Sequence, residues 1–215
     1  MLLPLAIAPP WTALLVWILL AVVVLTVAAV LAYGRFRDTP IFTHLEVEKT
    51  LTFLDASAEI ADLSTNLKSR VNHNEVDEIW FRNIAADGQI TNIRIDDRPP
   101  DKSLRKAGTL EVCKEFGRHL RKGEIVTTKL SYELHNSFSG AREGMTHVIA
   151  TQTADLRLNV QFHQGRMPKS ARVFVGYAST DDEVLQAPVW RNDQSLRVHI
   201  TRPKVGAYYT VEWDW

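Results

Sequence analysis

The sequence predicts one N-terminal transmembrane α-helix followed by a mostly β domain, a β-sandwich with a barrel as the alternative. Three observations predict it. A long run near the N-terminus carries no charge. Beyond it, apolar residues recur at every second position in one segment after another, and turn-forming residues separate those segments. In this chain of 215 residues no Asp, Glu, Lys or Arg precedes Arg35, so all 25 basic and 25 acidic residues fall in the remainder.

Residues 1–10, with Pro4, Pro9 and Pro10, read as a short apolar lead-in. Residues 11–33, WTALLVWILLAVVVLTVAAVLAY, are the predicted span. At about 1.5 Å per residue they reach about 34 Å, enough for a hydrocarbon layer of roughly 30 Å. Trp11 and Tyr33 stand at the ends, where amphipathic aromatics favour the interface. A cleaved signal peptide has a basic start and a shorter apolar core, so a retained anchor is expected. Arg35 and Arg37 follow the run directly. The positive-inside rule then places the N-terminus outside and the C-terminal domain in the cytoplasm, at the cell inner membrane. Ala21, Ala28 and Ala32 fall roughly on one helix face, and small residues let helices approach closely. The expected partners are therefore the lipid bilayer and a second copy or a membrane-complex subunit.

Residues 34–41 form a juxtamembrane junction without a Gly/Ser linker, and residues 42–215 form the β domain. In LEVEKTLTFL, Leu45, Val47, Leu51 and Phe53 share one face of a strand. EIWFRNIAADGQITNIRI reads as a hairpin turning at Asp87-Gly88. EIVTTKLSYEL alternates through Val126, Leu130, Tyr132 and Leu134, and DLRLNVQF through Leu156, Leu158, Val160 and Phe162. SLRVHI does so through Leu196, Val198 and Ile200. ARVFVGYAS and DEVLQAPVW are further strands, the latter confined to an edge by Pro188. AEIADLSTNLKSRV fits a strand or a helix, with the strand preferred; TLEVCKEFGRHLRKG fits both equally. The C-terminal AYYTVEWDW alternates through Tyr209, Val211 and Trp213, the expected inward face of a last strand.

A net charge of zero gives no global field for nucleic acid, so no direct nucleic-acid contact is expected. Cys113 is the sole cysteine, which rules out an intrachain disulfide and leans toward a reducing compartment. The segments LRKGEIVTTKLSYEL and RPKVGAYYTVEW, each a glycine-bearing turn leading into an alternating strand, resemble immunoglobulin-like and fibronectin-type sandwiches over residues 42–215.

Catalytic and metal signatures are sparse. None of the seven histidines is paired at i,i+2 or i,i+4, and no cysteine pair exists, so neither metal nor cofactor is expected. NSFSG is not a nucleophile elbow, and GRMPKS lacks a phosphate-loop ending. Lys114, Arg118 and His119 beside Cys113 are of the kind that lower a thiol pKa, but a lone cysteine between Val112 and Lys114 is more often structural. The residues chosen as a candidate ligand site are Arg157 and Asn159, Arg197 and His199, then Arg202 and Lys204. If their strands are neighbours they make a basic face for an anionic small molecule such as a nucleotide.

The functional expectation is a non-enzymatic, single-pass membrane-anchored cytosolic binding or sensor module. Its layout resembles membrane effectors of bacterial anti-phage signalling systems, which implies oligomerisation on ligand binding. The alternatives are a structural subunit of a membrane complex and a membrane-bound enzyme with an unrecognised site.

Overall fold

The computed structural model describes residues 39–215 apart from 107, 178–179, 187–188 and 192–193, with the backbone alone for 180–186 and 189–191. The expected lead-in, the span at 11–33 and most of the junction lie outside these residues. No helix among the described residues is long and apolar enough to cross a membrane.

The described chain is built of strands: β1 (Phe42–Phe53), β2 (Ile60–Val71), β3 (Val76–Ile84), β4 (Gln89–Ile95), β5 (Lys102–Lys106), β6 (Thr109–Leu120), β7 (Ile125–His135), β8 (Arg142–Val148), β9 (Thr153–Gln161), β10 (Ser170–Tyr177), β11 (Thr180–Gln186), β12 (Val189–Arg191), β13 (Ser195–Thr201) and β14 (Ala207–Asp214). Both ambiguous segments are strands, β2 and β6. The mostly β prediction stands. The strands of the described residues fall into three open sheets with no closed barrel, an arrangement consistent at a coarse level with a β-sandwich. A seven-stranded sheet runs β12-β13-β9-β1-β2-β7-β4, a four-stranded sheet β11-β10-β14-β8 and a three-stranded sheet β3-β6-β5. The β1–β9 pair is parallel, and every other pair is antiparallel.

Two local readings are corrected. The predicted hairpin at Asp87-Gly88 does not form: β3 belongs to the three-stranded sheet and β4 pairs with β7. Gly88 marks a crossover instead. A Cβ there would lie 2.0 Å from the His135 carbonyl oxygen, so only glycine lets the chain pass the end of β7. DEVLQAPVW is likewise divided, into edge strands of two different sheets.

The inner face of the seven-stranded sheet carries Val47, Leu51 and Phe53, then Leu63 and Leu67, then Leu156, Leu158 and Val160, all buried. The other sheets share that core through Val211, Trp213, Phe81 and Val112. Phe53, Phe138, Phe162, Trp213 and Trp215 form an aromatic cluster with ring centroids about 5–6 Å apart. The C-terminal aromatic row is therefore core. Trp215 is half-buried at its margin, with the Arg166 guanidinium 4.2 Å above its ring.

Candidate functional site

Where the inner face of the large sheet is left uncovered, the edge strand of each smaller sheet borders a half-open cavity of about 570 Å³. Leu63, Leu67, Leu130, Tyr132, Phe81 and Met145 give it apolar walls, and His44, Lys49, Thr65, His147 and Thr153 give it polar ones. Glu143 and Asp87 also line it.

Lys49 is the unexpected member. It sits between Val47 and Leu51 in the inward phase of β1, a position the alternation reserves for an apolar side chain. Its Nζ donates to the Thr146 carbonyl oxygen at 2.7 Å. Burial alone pushes its ammonium down to about 8. Among the described residues no carboxylate forms an ion pair with it. Glu143 Oε1 is taken by the Gly140 N–H. Near neutral pH Lys49 is thus a mostly protonated, largely desolvated cation without a counter-ion.

The two histidines converge on the same place. The register of β1 and β2 slips between His44 and Glu46, so Leu45 is a bulge residue and His44 pairs with Ser69 on the inner face. This corrects the face assigned to β1, which began at Leu45. His44 Nδ1 lies 2.8 Å from Ser69 Oγ, and burial pushes its pKa down to about 4. His147, from β8, is pushed down to about 3, first by burial and then by the charges of Lys49 and His44. Both imidazoles are therefore neutral at pH 7. One buried positive charge flanked by two neutral imidazoles and the hydroxyls of Thr65 and Thr153 suits a single anionic group. The apolar walls suit the body of an amphiphile.

Of the residues selected from sequence, Arg157, Asn159, Arg197 and His199 lie on the opposite face of the large sheet. The neighbour relation holds: β9 pairs with β13, with Arg157 opposite His199 and Asn159 opposite Arg197. The basic face does not hold, because carboxylates of β1 and β9 are interleaved with it. Arg157 is paired with Glu46, and His199 Nε2 lies 2.9 Å from Asp155 Oδ1. Asn159 Nδ2 donates to Glu48 Oε1 at 2.9 Å and its Oδ1 accepts from Arg197 Nε at 3.1 Å. Arg202 and Lys204 are exposed in the turn before β14, where the Lys204 N–H donates to the Tyr209 hydroxyl. The strip has charges of both signs and no net field to draw an anion.

Cys113 is the structural thiol that a lone cysteine more often is. It is buried, with Sγ 3.6 Å from Glu78 Oε2, and burial followed by that carboxylate pushes its thiol up to about 12. The basic neighbours on β6 do not overcome this. The one sequence signal for the cavity was position 49 itself, a lysine in the apolar phase of a strand.

No protein-family model and no curated protein matches the chain. Among solved structures, the M1 zinc metallopeptidase of Deinococcus radiodurans is similar at 13% identity over 79% of this chain and 42% of that one, with a TM-score of 0.41. Native yeast LTA4 hydrolase is similar at 8% identity over 80% of this chain and 29% of that one, with a TM-score of 0.47. The chain thus spans less than half the length of these structures. The expected sensor or anti-phage effector is corrected on this point alone: the similar structures are named as metallopeptidases and a hydrolase, and none as an effector. Among the described residues no group of three His, Cys, Asp or Glu is placed to hold a metal.

Proposed function

We propose that the β domain binds a monoanionic amphiphile, a carboxylate on an apolar body, in the cavity beneath β8. Lys49 carries the reading: it is a desolvated cation on an apolar face, without a carboxylate partner among the described residues. A buried charge of this kind destabilises a fold unless something offsets it. An anion seated against Nζ supplies the missing charge, and neutral His44 and His147 stand ready as hydrogen-bond partners. The volume of about 570 Å³ lies within the range of small-molecule sites, roughly 300–1,000 Å³. The reading assigns the domain no reaction.

Calorimetric titration of the full chain with dodecanoate tests it. Binding to the parent, and at least tenfold weaker binding to Lys49→Met, is the expected result. Equal affinity in both, or no heat in either, sinks the reading. We propose separately that residues 11–33 cross a membrane with residues 42–215 on its cytoplasmic side.

A further inference from the structure

We propose that the amphiphile is the C-terminus of an extended polypeptide, which adds as a strand to the open edge of β8 and places its terminal carboxylate at Lys49. This rests on the reading of the cavity given above and specifies its ligand. The first observation is how β8 borders the cavity. Side chains of a strand alternate between faces, so side chains alone would bring every second residue to a cavity wall. Here an unbroken run, Glu143 to Ala150, lines it. Such a run lines a cavity with its backbone.

The hydrogen bonds of β8 give the direction of that backbone. Ile149 N donates to Ala207 O, Gly206 N donates to Ile149 O, and Trp215 N donates to Ala141 O. The register between β8 and β14 is unbroken from Arg142 to Val148. Odd-numbered residues of β8 therefore bond to β14. The N–H and C=O groups of Gly144, Thr146 and Val148 point the other way, toward the cleft. That Lys49 Nζ reaches the Thr146 carbonyl from the cleft side agrees with this parity.

An open edge beside a cavity is a template for an added strand. Two features choose a chain terminus over an internal segment. Lys49 supplies a positive charge at the middle of the edge, which an internal peptide bond leaves uncompensated and an α-carboxylate offsets. The wall behind it, formed by Leu63, Leu67 and Leu130, takes one apolar side chain and suits a C-terminal Leu, Ile or Val. A fatty carboxylate satisfies the charge and the wall but leaves the backbone groups of β8 unused.

The test uses the full chain and three probes: a fluorescein-labelled decapeptide ending in leucine with a free carboxylate, the same peptide as its C-terminal amide, and dodecanoate. A fourth probe, the carboxylate peptide N-methylated at alternate residues, removes the strand donors without altering the protein. The expected result is peptide binding by fluorescence anisotropy, weakened at least tenfold by amidation and at least tenfold by N-methylation in one of the two alternating phases. Val148→Pro, which removes an N–H that the β8–β14 ladder does not use, should weaken peptide binding at least tenfold. Binding of dodecanoate with no binding of the peptide, or equal binding of acid, amide and N-methylated peptides, overturns the strand-addition proposal and leaves the amphiphile reading standing. Failure of both peptide and dodecanoate overturns both.

Discussion

Lys49 Nζ donates a 2.7 Å hydrogen bond to the carbonyl oxygen of Thr146, joining the inner face of the seven-stranded sheet to the open edge of the four-stranded one. The donor is a cation in an apolar setting and the acceptor is neutral, so the bond leaves the charge unbalanced. This relationship governs how the domain responds to pH.

The lysine ammonium is held near 8 in the folded chain and returns to 10.5 when unfolded. Between those values the unfolded chain binds more protons, so stability should rise as pH is raised from about 8 to about 10.5. His44 and His147 add a second window. Their folded values of about 4 and about 3 lie below the ordinary 6.5, so their contribution is present above 6.5 and is lost as pH falls toward 4 and 3. Urea midpoints measured from pH 3 to pH 10.5 should climb in two steps. Lys49→Met should remove the alkaline step and stabilise the domain at pH 7 by about 1–3 kcal/mol, as replacing an uncompensated buried charge does. An alkaline step that persists in that variant would place its origin elsewhere.

Trp213 is 1% exposed and packs edge-to-face against Phe53 and Phe162. Trp213→Ala should cost about 3–5 kcal/mol, the range for removing a buried aromatic. Denaturant titration of the variant reads this directly. A parent-like midpoint would show that the cluster is not part of the cooperative core.

The strands were legible because one buried face imposes a period of two. Leu156, Leu158 and Val160, and likewise Leu196 and Val198, lie inward as their alternation requires. The pairing of β9 with β13 was only a condition of the sequence reading, and the structure supplies it. The division into three sheets was not legible, because alternation says which face is buried and not which strand lies alongside. The β3–β4 segment shows this: its turn signal at Asp87-Gly88 is real, but the glycine serves a crossover past His135. The cavity was hidden for a different reason. His44 reaches it only through the bulge at Leu45, and His147 comes from a strand a hundred residues farther along. Lys49 alone stood out of phase.

The outer strip around Arg157 and Arg197 should be almost neutral for folding. Arg157 is paired with Glu46 at a partly exposed site, and such pairs contribute about 0–1 kcal/mol. Arg157→Ala and Arg197→Ala should each shift stability by less than about 1 kcal/mol. Neither should alter dodecanoate binding, since both lie across the sheet from the cavity. Loss of binding in either variant would move the ligand to the outer face.

The uncharged run at 11–33 predicts membrane retention through its length. Carbonate washing of membranes from cells expressing the full chain should leave the protein in the pellet. Protease added outside intact cells should leave residues 42–215 whole, because Arg35 and Arg37 favour the cytoplasmic side. Release into the carbonate supernatant would refute the span, and digestion from outside would refute the orientation.

Gly88 offers a test of the crossover. Its missing Cβ would lie 2.0 Å from the His135 carbonyl oxygen and 2.7 Å from both the Asn136 carbonyl carbon and the Ser137 hydroxyl. Two of these three are backbone atoms at the end of β7, so no rotamer change relieves the contact. Gly88→Ala must displace the β3–β4 connection or the end of β7, where His135 pairs with Gln89 and Ile60. Overpacking of this kind costs about 1–3 kcal/mol, and a backbone contact this short belongs at the upper end. The loop from Ala85 to Asp87 lines the cavity, so the displacement should also weaken dodecanoate binding in the variant that still folds. A type I′ hairpin turn at Asp87-Gly88 would also disfavour alanine, by about 1–2 kcal/mol through its positive φ, but would leave the end of β7 and the cavity undisturbed. Paired thermal melts and titrations of Gly88→Ala and the parent therefore separate the two geometries: a shift in both readouts supports the crossover, and a lowered melt with unchanged dodecanoate binding supports the hairpin.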